Sequence, residues 1–100
     1  MENSKTSITP SEHWNGFTFS FSNGWSVSIQ QGKAHYCEAG KTAEVAIFDD
    51  EENWYVFSEV KGHIFKSDAA TYVNGWLDAD AIAKIISIIS QEKVDIQTSE

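Results

Sequence analysis

Residues 17–30 read FTFSFSNGWSVSIQ, in which large and small side chains alternate on both sides of an Asn-Gly pair. Alternation with a period of two is typical of half-buried strands, and Asn-Gly between two such strands is a strong hairpin signal. The stretch therefore predicts a hairpin of two antiparallel strands, residues 17–21 and residues 25–29.

The length of the hairpin loop decides which side chains share a face of the sheet. A two-residue turn would place Phe21 opposite Ser26, and the large side chains of the two strands would then lie on opposite faces. A three-residue loop, residues 22–24, places Phe21 opposite Trp25 instead. Gly24 then takes the left-handed position of a type I turn with a G1 bulge. The hydrophobic pattern favours this loop, which gathers on one face Phe17, Phe19, Phe21, Trp25, Val27 and Ile29.

Two or three further strands follow the hairpin. TAEVAIF, residues 42–48, is rich in β-branched side chains, and residues 54–58 form another strand-like run. The four adjacent carboxylates of residues 49–52 repel one another and cannot be buried together, so they predict an exposed turn. Residues 63–65 are a candidate for a short edge strand, and residues 68–70 for a helical turn.

The last element is an amphipathic helix. Its apolar stripe, spaced i, i+3, i+4 and i+7, consists of Ile82, Ile85, Ile86 and Ile89. Asp78 is a suitable N-cap, and Leu77 and Ile82 stand where a hydrophobic staple requires them. These signals predict a helix that begins near residue 79 and ends at residues 91–93.

Strands followed by a helix indicate an α+β fold. We expect an antiparallel sheet of four strands, or five with residues 63–65, and one C-terminal amphipathic helix packed on one face. Residues 1–12 are expected to be a flexible leader, residues 13–93 a single domain, and residues 94–100 a tail.

One helix covers only part of one sheet face, so some apolar side chains need another cover. Phe48, together with Tyr55 or Phe57, is expected to be left over in this way. A second copy of the chain could supply the cover, which motivates a homodimer hypothesis.

The charge balance limits the kinds of partner. The chain has 15 acidic residues against seven basic ones, all of them Lys, and a formal net charge of −8. Nucleic acids and anionic membranes both attract basic surfaces, so this balance argues against direct binding to either. Cys37 is the only cysteine, so no intrachain disulfide forms and a cytoplasmic setting is expected.

Catalytic and metal-binding signals are sparse. His35 and Cys37 could share a strand face as zinc ligands, but a zinc site needs three or four ligands. A Cys37 nucleophile would need a positioned base such as His35 or His63. No motif for phosphate, dinucleotide or protease chemistry occurs. The sequence therefore predicts a protein that is not an enzyme and has no catalytic, cofactor-binding or metal-binding residues.

Two features are candidates for binding a partner protein. The acidic run lacks the glycine and the spaced ligands of a calcium loop, so it is either a solvated turn or a contact for a basic protein. Trp14 follows a polar segment, and an exposed Trp often anchors an interface. The predicted contact residues are Asp49, Asp50, Glu51, Glu52 and Trp14.

Three segments carry a resemblance to other proteins: FSNGWSVSIQ at residues 21–30, the Tyr36-Cys37 pair, and AEVAIFD at residues 43–49. They resemble a group of small uncharacterised bacteriophage proteins that share an NGW/Y-x-V-S-I-Q hairpin, a Tyr-Cys pair and an A-E-V-A strand. The likeness extends over residues 73–86, where a Gly-aromatic pair precedes the final helix. The resemblance implies a phage or prophage gene that acts inside a bacterial cell, and it implies no mechanism, because no activity is assigned to that group.

These observations lead to a functional hypothesis. The chain is expected to be a non-enzymatic, acidic, phage-type protein that binds a host protein with a basic surface and inhibits or modulates it. Host defence complexes, the targets of anti-CRISPR and anti-restriction proteins, and nucleic-acid-handling complexes are examples of such targets. The alternative is a self-associating structural or accessory protein, a homodimer through the apolar sheet face.

Overall fold

The computed structural model describes residues 6–11, 15–32, 41–67 and 73–97. These residues form eight strands and one helix. In chain order they are β1 (Ser7–Pro10), β2 (Asn15–Ser20), β3 (Ser26–Gln31), β4 (Ala43–Phe48), β5 (Trp54–Ser58), β6 (His63–Lys66), β7 (Val73–Leu77), α1 (Ala79–Ile89) and β8 (Ile96–Gln97). The α+β class is confirmed, with more strands than the sequence predicted.

The strands form one sheet in the order β1-β2-β3-β4-β5-β6-β8, and β7 pairs with β4 beside this path. All described neighbours are antiparallel except β6 and β8, which are parallel. The short strand predicted at residues 63–65 is present as β6, but it is not an edge strand, because β8 pairs with its outer side. α1, the one helix in the described ranges, is not long and apolar enough to cross a membrane.

The segments expected to be a leader and a tail each contain a short strand, β1 and β8. In residues 1–12, β1 pairs with β2 and places Ile8 opposite Phe19. Pro10 is tolerated there because an edge strand leaves one row of N–H groups unused. In residues 94–100, β8 pairs with β6 and places Ile96 opposite Ile64. Strands of two to four residues are too short for a period to be visible in sequence.

The hairpin of β2 and β3 has the predicted three-residue loop. The Phe21 N–H donates to the Trp25 carbonyl over 2.8 Å, and the Gly24 N–H donates to the Phe21 carbonyl over 3.0 Å. Gly24 has a φ of +92°, as a G1 bulge requires. Phe19 pairs with Val27, so the large side chains of both strands share one face.

The core lies between this face and α1. Along β4 the side chains alternate between buried and half-buried. The largest fully buried side chains are Ile47, Ile64, Leu77, Ile85, Ile89, Val27 and Val45. Fewer apolar side chains are left uncovered than the sequence predicted, because Tyr55 and Phe57 are both buried in this core. Phe48 remains on the opposite face, where its ring packs against Trp54 with centroids 5.0 Å apart.

The helix begins where the sequence predicted and ends earlier. Asp78 is the N-cap, and its carboxylate accepts a hydrogen bond from the Ala81 N–H over 2.9 Å. The helix ends at Ile89 rather than at residues 91–93. The side-chain amide of Asn23 donates to the carbonyls of Ile89 and Gln91. The hairpin loop thus binds carbonyl groups at the helix end, and a distant residue contributes to where the helix stops.

β4 has three partner strands, which requires an unusual junction. β3 occupies one edge, while β5 pairs with residues 47–48 and β7 with residues 43–46 of the other edge. Where β5 leaves β4, the Phe57 N–H donates to the Asn74 side-chain oxygen, and the Asn74 amide donates to the Phe57 carbonyl, each over 2.9 Å. The Asn74 side chain therefore replaces a strand at this point.

Replacing Asn74 should weaken the whole fold. Asn74→Ala leaves a backbone N–H and a carbonyl of Phe57 without partners, which costs about 2 to 4 kcal/mol of unfolding free energy. Asn74→Asp keeps the acceptor but turns a second oxygen toward the Phe57 carbonyl, so we expect a similar loss. Urea denaturation measures both, with the exposed Asn15→Ala as control. A loss of under about 0.5 kcal/mol, typical of a neutral surface change, would contradict this role.

Candidate partner-binding surface

The acidic run closes the hairpin of β4 and β5 with a three-residue loop, residues 50–52. The Asp49 N–H donates to the Asn53 carbonyl over 3.1 Å, and the Glu52 N–H donates to the Asp49 carbonyl over 3.3 Å. This is the hydrogen-bond pattern of the β2–β3 loop, with Glu52 in the place of Gly24. Glu52 accordingly has a φ of +66°, a conformation that side chains other than glycine rarely adopt.

Asp49 organises this turn from within. One carboxylate oxygen, Oδ1, accepts hydrogen bonds from the backbone N–H groups of Glu51 and Asn53, each over 2.9 Å. The other, Oδ2, accepts from the Asn53 side-chain amide over 3.0 Å and from the Tyr55 hydroxyl over 2.7 Å. Asp49 is half-buried, whereas the three acidic residues after it are exposed. Its carboxylate therefore holds the turn together.

The hydrogen bonds shift the pKa values of both partners. Partial burial by itself would raise the pKa of the Asp49 carboxyl, but the four hydrogen bonds from Asn53, Tyr55 and Glu51 outweigh burial and lower it. The pKa of the Tyr55 hydroxyl is raised, first by burial and then by its hydrogen bond to the Asp49 carboxylate. At neutral pH the pair is therefore an ionised acceptor and a neutral donor, which is the arrangement that the hydrogen bond needs.

The turn lies against the first hairpin loop. A Cβ added to Gly24 would lie 3.0 Å from a side-chain oxygen of Asp50, so the two loop tips are in contact. Asn23, in the same loop, is in turn bonded to the end of α1. The exposed carboxylates therefore stand on a surface that two hairpins and a helix end support.

Several candidates from the sequence fall outside the described residues. They are Trp14, the His35 and Cys37 pair, and the proposed helical turn at residues 68–70. Within the described ranges, no group of three or more His, Cys, Asp or Glu side chains is arranged to hold a metal ion. The partner-binding role of Asp50, Glu51 and Glu52 stays a prediction, and Asp49 has a clear structural task beside it.

Trp76 is an exposed aromatic residue that sequence reasoning missed. Its side chain is 60% exposed, and its φ is +59°. It lies in a β-bulge, because β7 takes three residue steps from Asn74 to Leu77 where β4 takes two from Val45 to Ala43. A left-handed Trp is costly, by about 1 to 3 kcal/mol. The preceding Gly75 gives no hint of it, since turn chemistry would assign the left-handed position to the glycine.

Comparison of the chain with protein-family models, with curated proteins and with solved structures finds no match. The resemblance to small bacteriophage proteins therefore stays a prediction that rests on the quoted segments alone.

The Asp49 network predicts a defined acid sensitivity. Because folding lowers the pKa of Asp49, its contribution to stability is complete above the ordinary Asp pKa of about 3.9 and is lost as pH falls through the lowered value. Each carboxylate oxygen of Asp49 accepts two hydrogen bonds. In Asp49→Asn, the new NH₂ group would therefore face two hydrogen-bond donors whichever way the amide is turned. We expect this variant to be about 2 kcal/mol less stable than wild type at pH 7.

Urea denaturation between pH 7 and pH 3 would measure the difference in stability. The difference in unfolding free energy between Asp49→Asn and wild type should become smaller below about pH 4, because the Asp49 carboxylate of wild type is then increasingly protonated. Asp50→Asn, at an exposed position, is the control and should stay within about 0.5 kcal/mol of wild type at neutral pH. A gap of constant size over the whole range would show that the Asp49 charge does not stabilise the turn.

Proposed function

We propose that the protein is a non-catalytic binding protein of phage type that acts in the bacterial cytoplasm. Its exposed carboxylates at residues 50–52 engage a basic surface of a host protein complex and block or modulate that complex. The charge of −8, the acidic turn and the resemblance to bacteriophage proteins support this proposal. The target class, a defence or nucleic-acid-handling complex, follows from the basic channels that such complexes present to nucleic acid.

The observation that carries the proposal is the backbone conformation of Glu52. The two three-residue loops have the same hydrogen-bond pattern, but only the first has glycine at its left-handed position. A non-glycine residue there costs on the order of 1 to 3 kcal/mol, and persists where the surrounding structure holds it. The turn thus has the exposed carboxylate of Glu52 at a position where glycine would adopt the required conformation at lower cost. Strain of this kind is typical of functional sites.

The electrostatics of the turn fit the binding of a basic partner. Three adjacent exposed carboxylates on an acidic protein create a negative potential that attracts basic surfaces and speeds their association. Such attraction is screened beyond about 10 Å at 0.1 M salt. The contact should therefore weaken steeply as the salt concentration rises.

Affinity capture from a bacterial lysate tests the role of the turn. We expect the wild-type protein to retain a specific host complex at low salt and to release it at high salt. The triple variant Asp50→Asn/Glu51→Gln/Glu52→Gln should lose the complex. The control variant Glu59→Gln/Glu92→Gln/Asp95→Asn has the same net charge and changes exposed acids elsewhere, so it should retain the complex. Equal loss in both variants, or binding indifferent to salt, would overturn the proposal.

Glu52→Gly separates binding from folding in the same assay. Relief of the left-handed strain, reduced by the entropy cost of glycine, should make this variant about 0.5 to 1 kcal/mol more stable than wild type. We expect it to bind the captured complex more weakly despite its higher stability. Unchanged binding would show that Glu52 does not contact the partner.

The second candidate function is self-association through the sheet face opposite α1. Phe48 and Trp54 are neighbours on that face and only half-buried, and the helix packs on the other face. A second copy with the same aromatic pair could cover it in a two-fold symmetric dimer.

Phe48→Glu tests this dimer by sedimentation at micromolar concentration. If the face is an interface, wild type sediments as a dimer and Phe48→Glu as a monomer, because a buried unpaired carboxylate is costly. Phe17→Glu, on the helix side of the sheet, is the matched control and should leave the dimer intact. A wild-type protein that sediments as a monomer would exclude the dimer.

A further inference from the structure

The pair Asn-Gly occurs three times in the chain, at residues 15–16, 23–24 and 74–75. Such a pair can react with itself, because the backbone nitrogen of the glycine can attack the side-chain carbonyl carbon of the asparagine. Glycine favours this attack, since it has no side chain to shield the nitrogen and its backbone adopts many conformations. The surroundings of each pair in the fold therefore decide whether it can react.

Two of the three asparagines lie in strands. Asn15 begins β2 and pairs with Gln31, and its side chain is exposed. Asn74 lies in β7, where its side chain is bonded to the N–H and the carbonyl of Phe57, each over 2.9 Å. The Asn74 side chain can leave Phe57 only when the junction of β4, β5 and β7 opens, and such an opening disrupts the middle of the sheet.

Asn23 lies in the loop of the first hairpin, where hydrogen bonds hold both reacting groups. Its side-chain nitrogen donates to the two carbonyls at the end of α1, over 2.7 Å and 2.5 Å, and its side-chain oxygen accepts from the Trp25 N–H over 3.0 Å. The Gly24 nitrogen, which would attack, donates its hydrogen to the Phe21 carbonyl over 3.0 Å. The closed loop therefore protects Asn23, and the reaction requires the loop to leave the helix end. Loop opening of this kind needs less free energy than disruption of the sheet.

We propose that Asn23 is a modification site, converted spontaneously to aspartate and isoaspartate at a rate set by the opening of the hairpin loop from the end of α1. The Gly24 nitrogen forms a bond to Cγ of Asn23, the bond from Cγ to the NH₂ group breaks, and ammonia leaves with the Gly24 proton. Water then opens the resulting five-membered ring. Cleavage of the bond from the ring nitrogen to Cγ gives aspartate, and cleavage of its bond to the backbone carbonyl carbon gives isoaspartate. Water is the only other reactant, and nothing is oxidised or reduced.

The product cannot rebuild the contact between the loop and the helix. A carboxylate accepts hydrogen bonds but does not donate them, and it would face carbonyls at a helix C-terminus, where the partial charge is already negative. Isoaspartate also adds one carbon to the main chain of a loop whose length sets the register of the hairpin. The modification therefore keeps the loop open. The inference does not depend on the function proposed for the acidic turn.

Ageing of the wild-type protein in mildly alkaline buffer tests the site, with peptide mass spectrometry to locate each converted asparagine. A synthetic peptide of residues 19–27 gives the rate without the fold in every solvent used. In native buffer, Asn23 of the protein should convert at least about tenfold more slowly than in the peptide, because only the open loop reacts. It should still convert faster than Asn74. In guanidinium chloride, the protein and the peptide should convert Asn23 at the same rate.

Two results of this experiment would overturn the proposal. Equal rates for Asn23 in the native protein and in the peptide would show that the contact with α1 does not protect it. Conversion of Asn23 no faster than that of Asn74 in native buffer would show that opening of the loop alone does not lead to reaction.

The substitution Asn23→Asp tests the effect of the product on the fold. We expect it to raise the equilibrium constant for unfolding at least about tenfold at pH 7, because the carbonyls at the helix end lose their donor and face a charge. Asn15→Asp, at an exposed position, makes the same change of charge and is the matched control. The effect of Asn23→Asp should shrink below about pH 4, where the protonated carboxyl can donate again. Equal stability of the two variants at pH 7 would overturn the inference that the product keeps the loop open.

Discussion

β4 pairs with three strands, although a strand has only two edges, and the arrangement of the rest of the sheet follows from this constraint. Every strand has two edges, and the backbone groups on both must be bonded when they are buried. Here β3 takes one edge, and β5 and β7 divide the other. The division leaves the Phe57 peptide groups facing a gap, and the amide of Asn74 fills it with one donor and one acceptor. A single side chain thus permits β5 to turn toward β6 while β7 leads into α1.

The difference between what the sequence predicted and what it missed follows from this junction. The β2–β3 hairpin was predictable in register because six large side chains enforce the parity of a three-residue loop. The helix start was predictable because the N-cap, the staple and the apolar stripe are local signals. β7 was not, since its residues Val73–Leu77 pair with β4 across a bulge and contain glycine, which strand patterns disfavour. Long-range pairing determines such a strand, and no local pattern encodes it.

The candidate site shows the same division between local and distant causes. Charge repulsion was enough to predict that the acidic run is a turn between two strands. It could not predict that Asp49 differs from the three acids after it, because that difference depends on the Tyr55 hydroxyl and the Asn53 amide. Nor could it predict the left-handed Glu52, since the run contains no glycine to mark the position. The functional proposal for the turn therefore depends on the left-handed conformation of Glu52. That conformation is recognised as unusual when the turn is compared with the β2–β3 loop, which has Gly24 at the same position.

On the helix side of the sheet, the exposed apolar side chains result from a mismatch between one short helix and a wide sheet. α1 has 11 residues and is about 16 Å long at 1.5 Å per residue. It packs against β3 and β7 near the middle of the sheet, so it cannot also cover β1 and β2. The apolar side chains of β2 still point to the helix side, because the hairpin register fixes their face. The loop parity therefore has two effects: the register that buries Val27 under the helix also leaves Phe17 and Phe19 beside it, partly exposed to solvent.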